Sequence, residues 1–364
     1  MKPYRFLTVL AAFLLLLSGP LQAENKLQVV TSFSILGDMA RELGGDRIQV
    51  TSLVGINEDT HTYRPRPSDS RLLNQADLVI DNGLNLTGWM DRLLDASGYQ
   101  GQLVTASAGI NLLAAGQYQD EADHHDHDHD HDHDHDHDHD HDHDHEHHQE
   151  HNHDQEHHQE QDHHQEHDHG QEHQHESEQP SGHAGHDHGE YDPHAWLSLI
   201  EAQVYVDNIL EGLIALDPQG EAFYRQQAEA YLAELQALHQ HFSEAFAQLP
   251  EDRRSIMTPH DAFAYLARDY DLELVSPQGT STASEPSATE MAQLVRQLQQ
   301  QEVAAVFLEN IGDPRLVEQL QREAGVTLGG TLYSGALSDA SGPASSYLAL
   351  MEYNLNTLLQ ALKP

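Results

Sequence analysis

The residue type with the most chemistry to offer in this chain is histidine, present 32 times among 364 residues. Of these, 27 lie between His124 and His188. The other five are His61, His194, His239, His241 and His260. His239 and His241 stand two apart on a helical pattern, so they do not share a face and read as surface residues. His61, His194 and His260 differ in setting. They lie in Asp59-Thr60-His61-Thr62-Tyr63, Asp192-Pro193-His194-Ala195-Trp196 and Thr258-Pro259-His260-Asp261-Ala262-Phe263. Each follows a strand end or loop and precedes an apolar stretch of helical character. Ligands of open α/β sheets gather outside the carboxyl ends of strands. Three imidazoles in such loops could therefore meet around one cation. Neutral imidazole nitrogen suits zinc, with copper and nickel as competitors, whereas manganese and calcium prefer more oxygen.

The elements that must position these residues alternate. Strand-like runs occupy Leu27 to Thr31, Ile48 to Val54, Leu78 to Ile80 and a segment starting at Leu103-Val104. Helical spacing covers Ile35 to Leu43, stopped by Gly44-Gly45, then Ser68 to Gln75 with Ser68 as its cap, and Leu86 to Ala96. Asp217-Pro218 opens a helix that could reach Leu249-Pro250 as a stiff strut. Alternation then resumes: strands at Arg254 to Thr258, Glu273 to Ser276, Val303 to Leu308 and Thr331 to Tyr333. Helices are expected at Ala262 to Tyr270, from a capping box at Ser287 to Glu290 as far as Gln300, at Pro314 to Ala324 and at Ser345 to Leu362. Such alternation predicts an α/β class with two Rossmann-like lobes of parallel sheet, joined by one long rigid helix, with the histidines in the cleft between lobes. The expected boundaries are a lobe over 24–216, a linking helix over 217–250 and a second lobe over 251–364.

From about Asp120 to Glu190 the pattern collapses into His, Asp, Glu and Gln. This insertion carries 26 acidic residues and no Lys or Arg, leaving 35 acidic and 17 basic residues elsewhere. It has nothing apolar to bury on either face and is expected to be disordered. Alternating His and Asp makes many weak, interchangeable chelation sites, and the carboxylates raise the local cation concentration. The formal net charge of −44 argues against nucleic-acid and anionic-membrane partners.

Residues 1–23 read as an export signal: Lys2 and Arg5, then an apolar run from Phe6 to Leu17, then a small-residue cleavage site ending at Ala23. The absence of cysteine leaves no disulfide, no thiolate ligand and no residue to acylate.

The chain resembles the solute-binding proteins of zinc- and manganese-uptake ABC transporters, in their zinc-receptor branch. The carriers are the segment Asp59 to Asp69, Asp81-Asn82-Gly83-Leu84, Asp192 to Trp196, His260 to Phe263, Glu285-Pro286-Ser287 and Gly329 to Tyr333. The resemblance implies a periplasmic receptor, expected to be monomeric. It would bind one Zn2+ tightly in an interlobe cleft and deliver it to an inner-membrane ABC permease, with no catalysis. His61, His194 and His260 fall on the family's first three ligand positions. Where the family commonly places an aspartate after the last strand, this chain has Gly335. Asp339, Asp59, Glu58 or a water is then the expected fourth donor. Asp192 and Asp261 could orient ligand rings or cap the helices that follow them, and Trp196, Phe263 and Tyr265 read as core. The histidine tract would collect or sense zinc, or buffer it passively. Competing functions are a storage or resistance buffer and a zinc hydrolase. No His-Glu-x-x-His helix is present to support the hydrolase.

Overall fold

The computed structural model describes residues 26–116, 189–277, 279–282, 288–300 and 303–363. The expected export signal, the tract from His124 to His188, Glu285-Pro286-Ser287 and the Ser287 cap all lie outside the described residues.

Among the described residues, four parallel strands form a first sheet: β1 (Leu27–Phe33), β2 (Ile48–Val54), β3 (Leu78–Asp81) and β4 (Gln102–Thr105), in the order β2-β1-β3-β4. A second parallel sheet repeats that order as β6-β5-β7-β8, from β5 (Ser255–Met257), β6 (Glu273–Val275), β7 (Ala305–Glu309) and β8 (Leu328–Leu332). Parallel neighbours cannot be joined by tight turns and need crossovers, which the intervening helices supply. These are α1 (Ser34–Gly44), α2 (Pro67–Gln75) and α3 (Met90–Ser97) for the first sheet. For the second they are α6 (Ala264–Tyr270), α7 (Ala288–Gln300) and α8 (Pro314–Ala324). Between the sheets in sequence run α4 (Glu201–Leu216) and α5 (Glu221–Phe246), and α9 (Tyr347–Leu362) closes the chain. The two-lobed α/β expectation therefore holds.

Local chemistry explains where elements begin and end. Helix α1 stops because Gly45 turns left-handed, at φ 51°, a conformation glycine adopts without a Cβ clash. Helix α2 starts one residue before the expected cap. Pro67 occupies its first turn, and the Asp69 carboxylate, not Ser68, accepts the Arg66 N–H at 2.6 Å. Helix α3 starts four residues later than periodicity suggests. Leu84 and Asn85 hold φ near +53° and +55° and spend that stretch on turns.

Helix α5 is 26 residues long, roughly 39 Å at the usual rise. It is entered through a 3-10 turn at Pro218–Gly220, capped by the Asp217 carboxylate. It stops at Phe246, short of the expected Leu249. Its buried side chains include Tyr224, Tyr231, Leu235, Phe242 and Phe246. It packs on α1 and α4, which cover the first sheet, and on α6 and α9, which flank the second. One apolar cluster runs through both sheets and this helix, and a smaller one fills the space between the second sheet, α7 and α8. No described helix is long and apolar enough to cross a membrane.

Candidate metal centre

Strand order in each sheet reverses between two neighbours, β1 and β3 in the first and β5 and β7 in the second. Crevices at such reversals are where open α/β sheets hold ligands. The three sequence-predicted histidines arrive there by different routes. His61 sits on the loop leaving β2. His260 sits three residues beyond β5. His194 precedes a short 3-10 turn, Ala195–Leu197. Its segment is drawn to the end of β3 by Asn82, whose side-chain amide donates to the Pro193 carbonyl at 3.0 Å. The Tyr205 hydroxyl fixes that amide by donating to its oxygen at 2.9 Å.

The structure brings all three together. His61, His194 and His260 each offer one ring nitrogen, and these atoms lie within 4.8 Å of one another. The Nε2 atoms of His61 and His194 are 3.2 Å apart. Ring centroids are separated by 5.3, 5.6 and 5.3 Å, so the three rings crowd around one point. His194 and His260 are buried, and His61 is partly exposed. His239 and His241 stay on the long helix, where His239 meets the Tyr270 hydroxyl.

Carboxylates set the orientation of the two buried rings. Asp192 Oδ1 accepts from the His194 backbone N–H at 2.9 Å and lies 2.7 Å from His194 Nδ1. The orienting role foreseen for Asp192 is thus realised. For His260 the partner is Glu309, not Asp261. Glu309 Oε1 lies 2.8 Å from His260 Nδ1 and accepts the His260 backbone N–H at 3.2 Å. Sequence reasoning missed Glu309. The available signal was an acid ending an otherwise apolar strand, Ala-Val-Phe-Leu-Glu, at the carboxyl edge of the second sheet. Glu309 stays ionised and can only accept, so the His260 ring carries its proton on Nδ1 and turns a bare Nε2 inward. His260 Nε2 is buried without a hydrogen-bond partner.

Burial shapes the electrostatics. It pushes the Asp192 carboxyl up to about 7, against the pull of the His194 N–H. Asp261 is likewise pushed up to about 7 by burial and by the neighbouring Asp192. For His260, burial works against the charged ring, but the Glu309 carboxylate outweighs it and holds the pKa above the ordinary value. Glu309 is also buried, and the His260 ring holds it below the usual carboxylate range.

Among the described residues, no carboxylate joins the three-nitrogen group. Asp339 is exposed and accepts from the Ser341 N–H at 2.8 Å. Glu58 accepts the Gly55 N–H at 2.8 Å and closes its own turn. Asp59 anchors the His61 loop: it accepts from the His61 N–H at 2.9 Å, the Thr62 hydroxyl at 3.1 Å and the Thr282 hydroxyl at 2.6 Å. Gly335 has no side chain to offer. The expected core residues Trp196, Phe263 and Tyr265 are buried. Two of them also bond across the lobes. Trp196 Nε1 donates to the Ser334 carbonyl at 2.8 Å, and the Tyr265 hydroxyl donates to the Asp192 carbonyl at 3.2 Å while accepting the Leu113 N–H at 3.1 Å.

Known proteins share this frame. The zinc-binding lipoprotein AdcA of Streptococcus pneumoniae is 28% identical over 351 residues, covering 96% of this chain and 58% of AdcA. The manganese ABC transporter substrate-binding lipoprotein PsaA of Streptococcus pneumoniae is 25% identical over 370 residues, covering 98% of each chain. Among solved structures, the periplasmic zinc-binding protein TroA of Treponema pallidum superposes with a TM-score of 0.70 at 24% identity, covering 93% of this chain and 100% of TroA. The family model described as zinc-uptake complex component A, periplasmic, matches residues 29–361. With nearly the whole fold and its cleft accounted for, the chain belongs to the ZnuA family, metal-binding receptors of ABC transporters rather than enzymes.

Proposed function

We propose that His61, His194 and His260 bind one Zn2+ and that the chain hands this ion to an inner-membrane ABC permease from the periplasm, acting as a monomer. The observation that carries the reading is the 3.2 Å separation of His61 Nε2 and His194 Nε2. Two imidazoles on one tetrahedral zinc, each at 2.0–2.1 Å, stand about 3.3 Å apart. Relatives include both zinc and manganese proteins by name, so the choice of metal rests on the donors. Three nitrogens and no carboxylate in the described group favour zinc over manganese, which prefers oxygen. A water fills the fourth position in this reading. The tract from His124 to His188 collects further ions weakly through its many interchangeable His and Asp side chains. The lobes over 24–216 and 251–364 grip the ion, and 217–250 spans them.

The test is a zinc and manganese titration of the full chain against a chelator strong enough to report only the tightest site. One zinc per chain should bind tightly and manganese far more weakly. His61→Ala, His194→Ala and His260→Ala should each lose that zinc. Tight binding that survives any of the three substitutions, or manganese held as tightly as zinc, would sink the assignment. A variant lacking residues 120–190 should keep the tight ion and lose the weaker ones.

A further inference from the structure

Behind the three imidazoles stands Glu309, the last residue of β7. This side chain is buried under the His260 ring. Burying a carboxylate is costly unless its oxygens are engaged. Here Oε1 accepts the His260 backbone N–H and lies 2.8 Å from His260 Nδ1, while Oε2 makes no hydrogen bond of its own and lies 2.7 Å from the same nitrogen. Such an arrangement ties the backbone and the ring of one residue to the same acid, which rises from the end of a neighbouring strand. Nothing is left for Nδ1 but to carry the proton, and nothing for Nε2 but to face the cluster bare.

Charge points the same way. Three neutral imidazoles bring no charge to a dication in a buried pocket. The acid behind His260 supplies it through the ring, and a carboxylate behind an imidazole makes the ring a stronger donor. Asp261, the nearer acid in sequence, makes no hydrogen bond to the His260 ring and acts on its charge less than Glu309 does.

We propose that Glu309 is the positioning residue of the metal centre: it fixes His260 as the Nδ1-protonated tautomer and lends its negative charge to the ion that Nε2 binds. This rests on the zinc reading above. It places a residue far from any ligand motif among those that set affinity.

The experiment compares Glu309→Gln, Glu309→Asp and Glu309→Ala with the parent and with His260→Ala, all as full chains, using zinc and the same strong chelator. Glu309→Gln keeps size and one acceptor but removes the charge. It should weaken zinc roughly 10- to 100-fold, and Glu309→Asp should recover part of the loss. Nitrogen-15 spectra of the metal-free proteins give a second readout. The His260 signal, identified by its absence in His260→Ala, should show a protonated Nδ1 in the parent and lose that pattern in Glu309→Ala. Thermal melts of the metal-free variants check that the fold persists. Zinc affinity in Glu309→Gln within twofold of the parent would overturn the proposal. So would equal weakening by Gln, Asp and Ala, which would mean that Glu309 only fills space. If His260→Ala itself keeps tight zinc, the three-imidazole reading fails and this proposal with it. If His260→Ala loses zinc while Glu309→Gln does not, only the role of Glu309 fails.

Discussion

A ring nitrogen that carries a proton cannot hold a cation, so every imidazole of the cluster must be neutral when it binds. The sign of the pH dependence follows from His260. Its folded pKa is raised, because the Glu309 carboxylate outweighs burial. The proton therefore competes with metal at a higher pH than for a free histidine, whose value is about 6.5. Zinc affinity should be full near pH 8 and fall as pH drops through 7 towards 6, which a chelator competition series across that range would check. A flat profile would mean that these rings do not hold the ion. At this scale the sequence was readable where the signal was local. His61, His194 and His260 announced themselves by type and loop setting, and Asp192 by lying two residues from His194. Glu309 is 49 residues from His260, and only the pairing of β5 with β7 brings them together. No spacing rule reaches across a sheet in that way.

Elements were legible where pattern decides and less so where side chains decide. Strand β2 runs from Ile48 to Val54, as predicted, its apolar ends Ile48, Leu53 and Val54 buried while its middle lies more open at the edge of the sheet. Helix ends shifted where a cap or a left-handed turn competed with periodicity, as at Asp69 and Leu84. The corner between α4 and α5 gives a prediction of its own. Arg47, just before β2, donates through Nε to Asp217 Oδ2 at 2.9 Å, and Tyr224 donates to the same oxygen at 2.8 Å. Partial burial works against the Asp217 charge, but Arg47 and Tyr224 outweigh it and hold the carboxyl below its ordinary value. Its contribution to stability is thus present above the unfolded carboxylate pKa, about 3.9, and lost as pH falls through the lower folded value. Asp217→Asn should cost about 1 kcal/mol at neutral pH, since the pair is partly exposed to solvent. Urea unfolding would show it, and the gap from the parent should close once the solution is acid enough to protonate Asp217 in the folded protein. An undiminished gap at that acidity would assign the effect to packing instead.

For the whole molecule, the two halves meet through bonds as well as through the long helix. Helix α6 of the second lobe sends Tyr265 to the Asp192 carbonyl and Leu113 N–H, and Arg268 to Glu201 at 2.9 Å, both on the first lobe. Tyr265→Phe would strand a buried N–H and carbonyl, at a cost of about 1–3 kcal/mol. It should lower the midpoint of urea unfolding and loosen zinc, because Asp192 orients His194. Unchanged stability would show that these contacts contribute nothing net. The assembly of the lobes was legible in outline, since strands alternating with helices imply parallel sheets. The bonds between them were not, because tyrosine and tryptophan read as core from sequence alone. One further property belongs to the molecule as a whole. Its candidate centre is made of nitrogen, in a chain without a single cysteine. Oxidants that strip zinc from thiolates by turning sulfur into sulfenic acid or disulfide find no target here. Peroxide should leave a loaded receptor loaded, so this carrier is suited to work in compartments where sulfur-based metal sites would be lost.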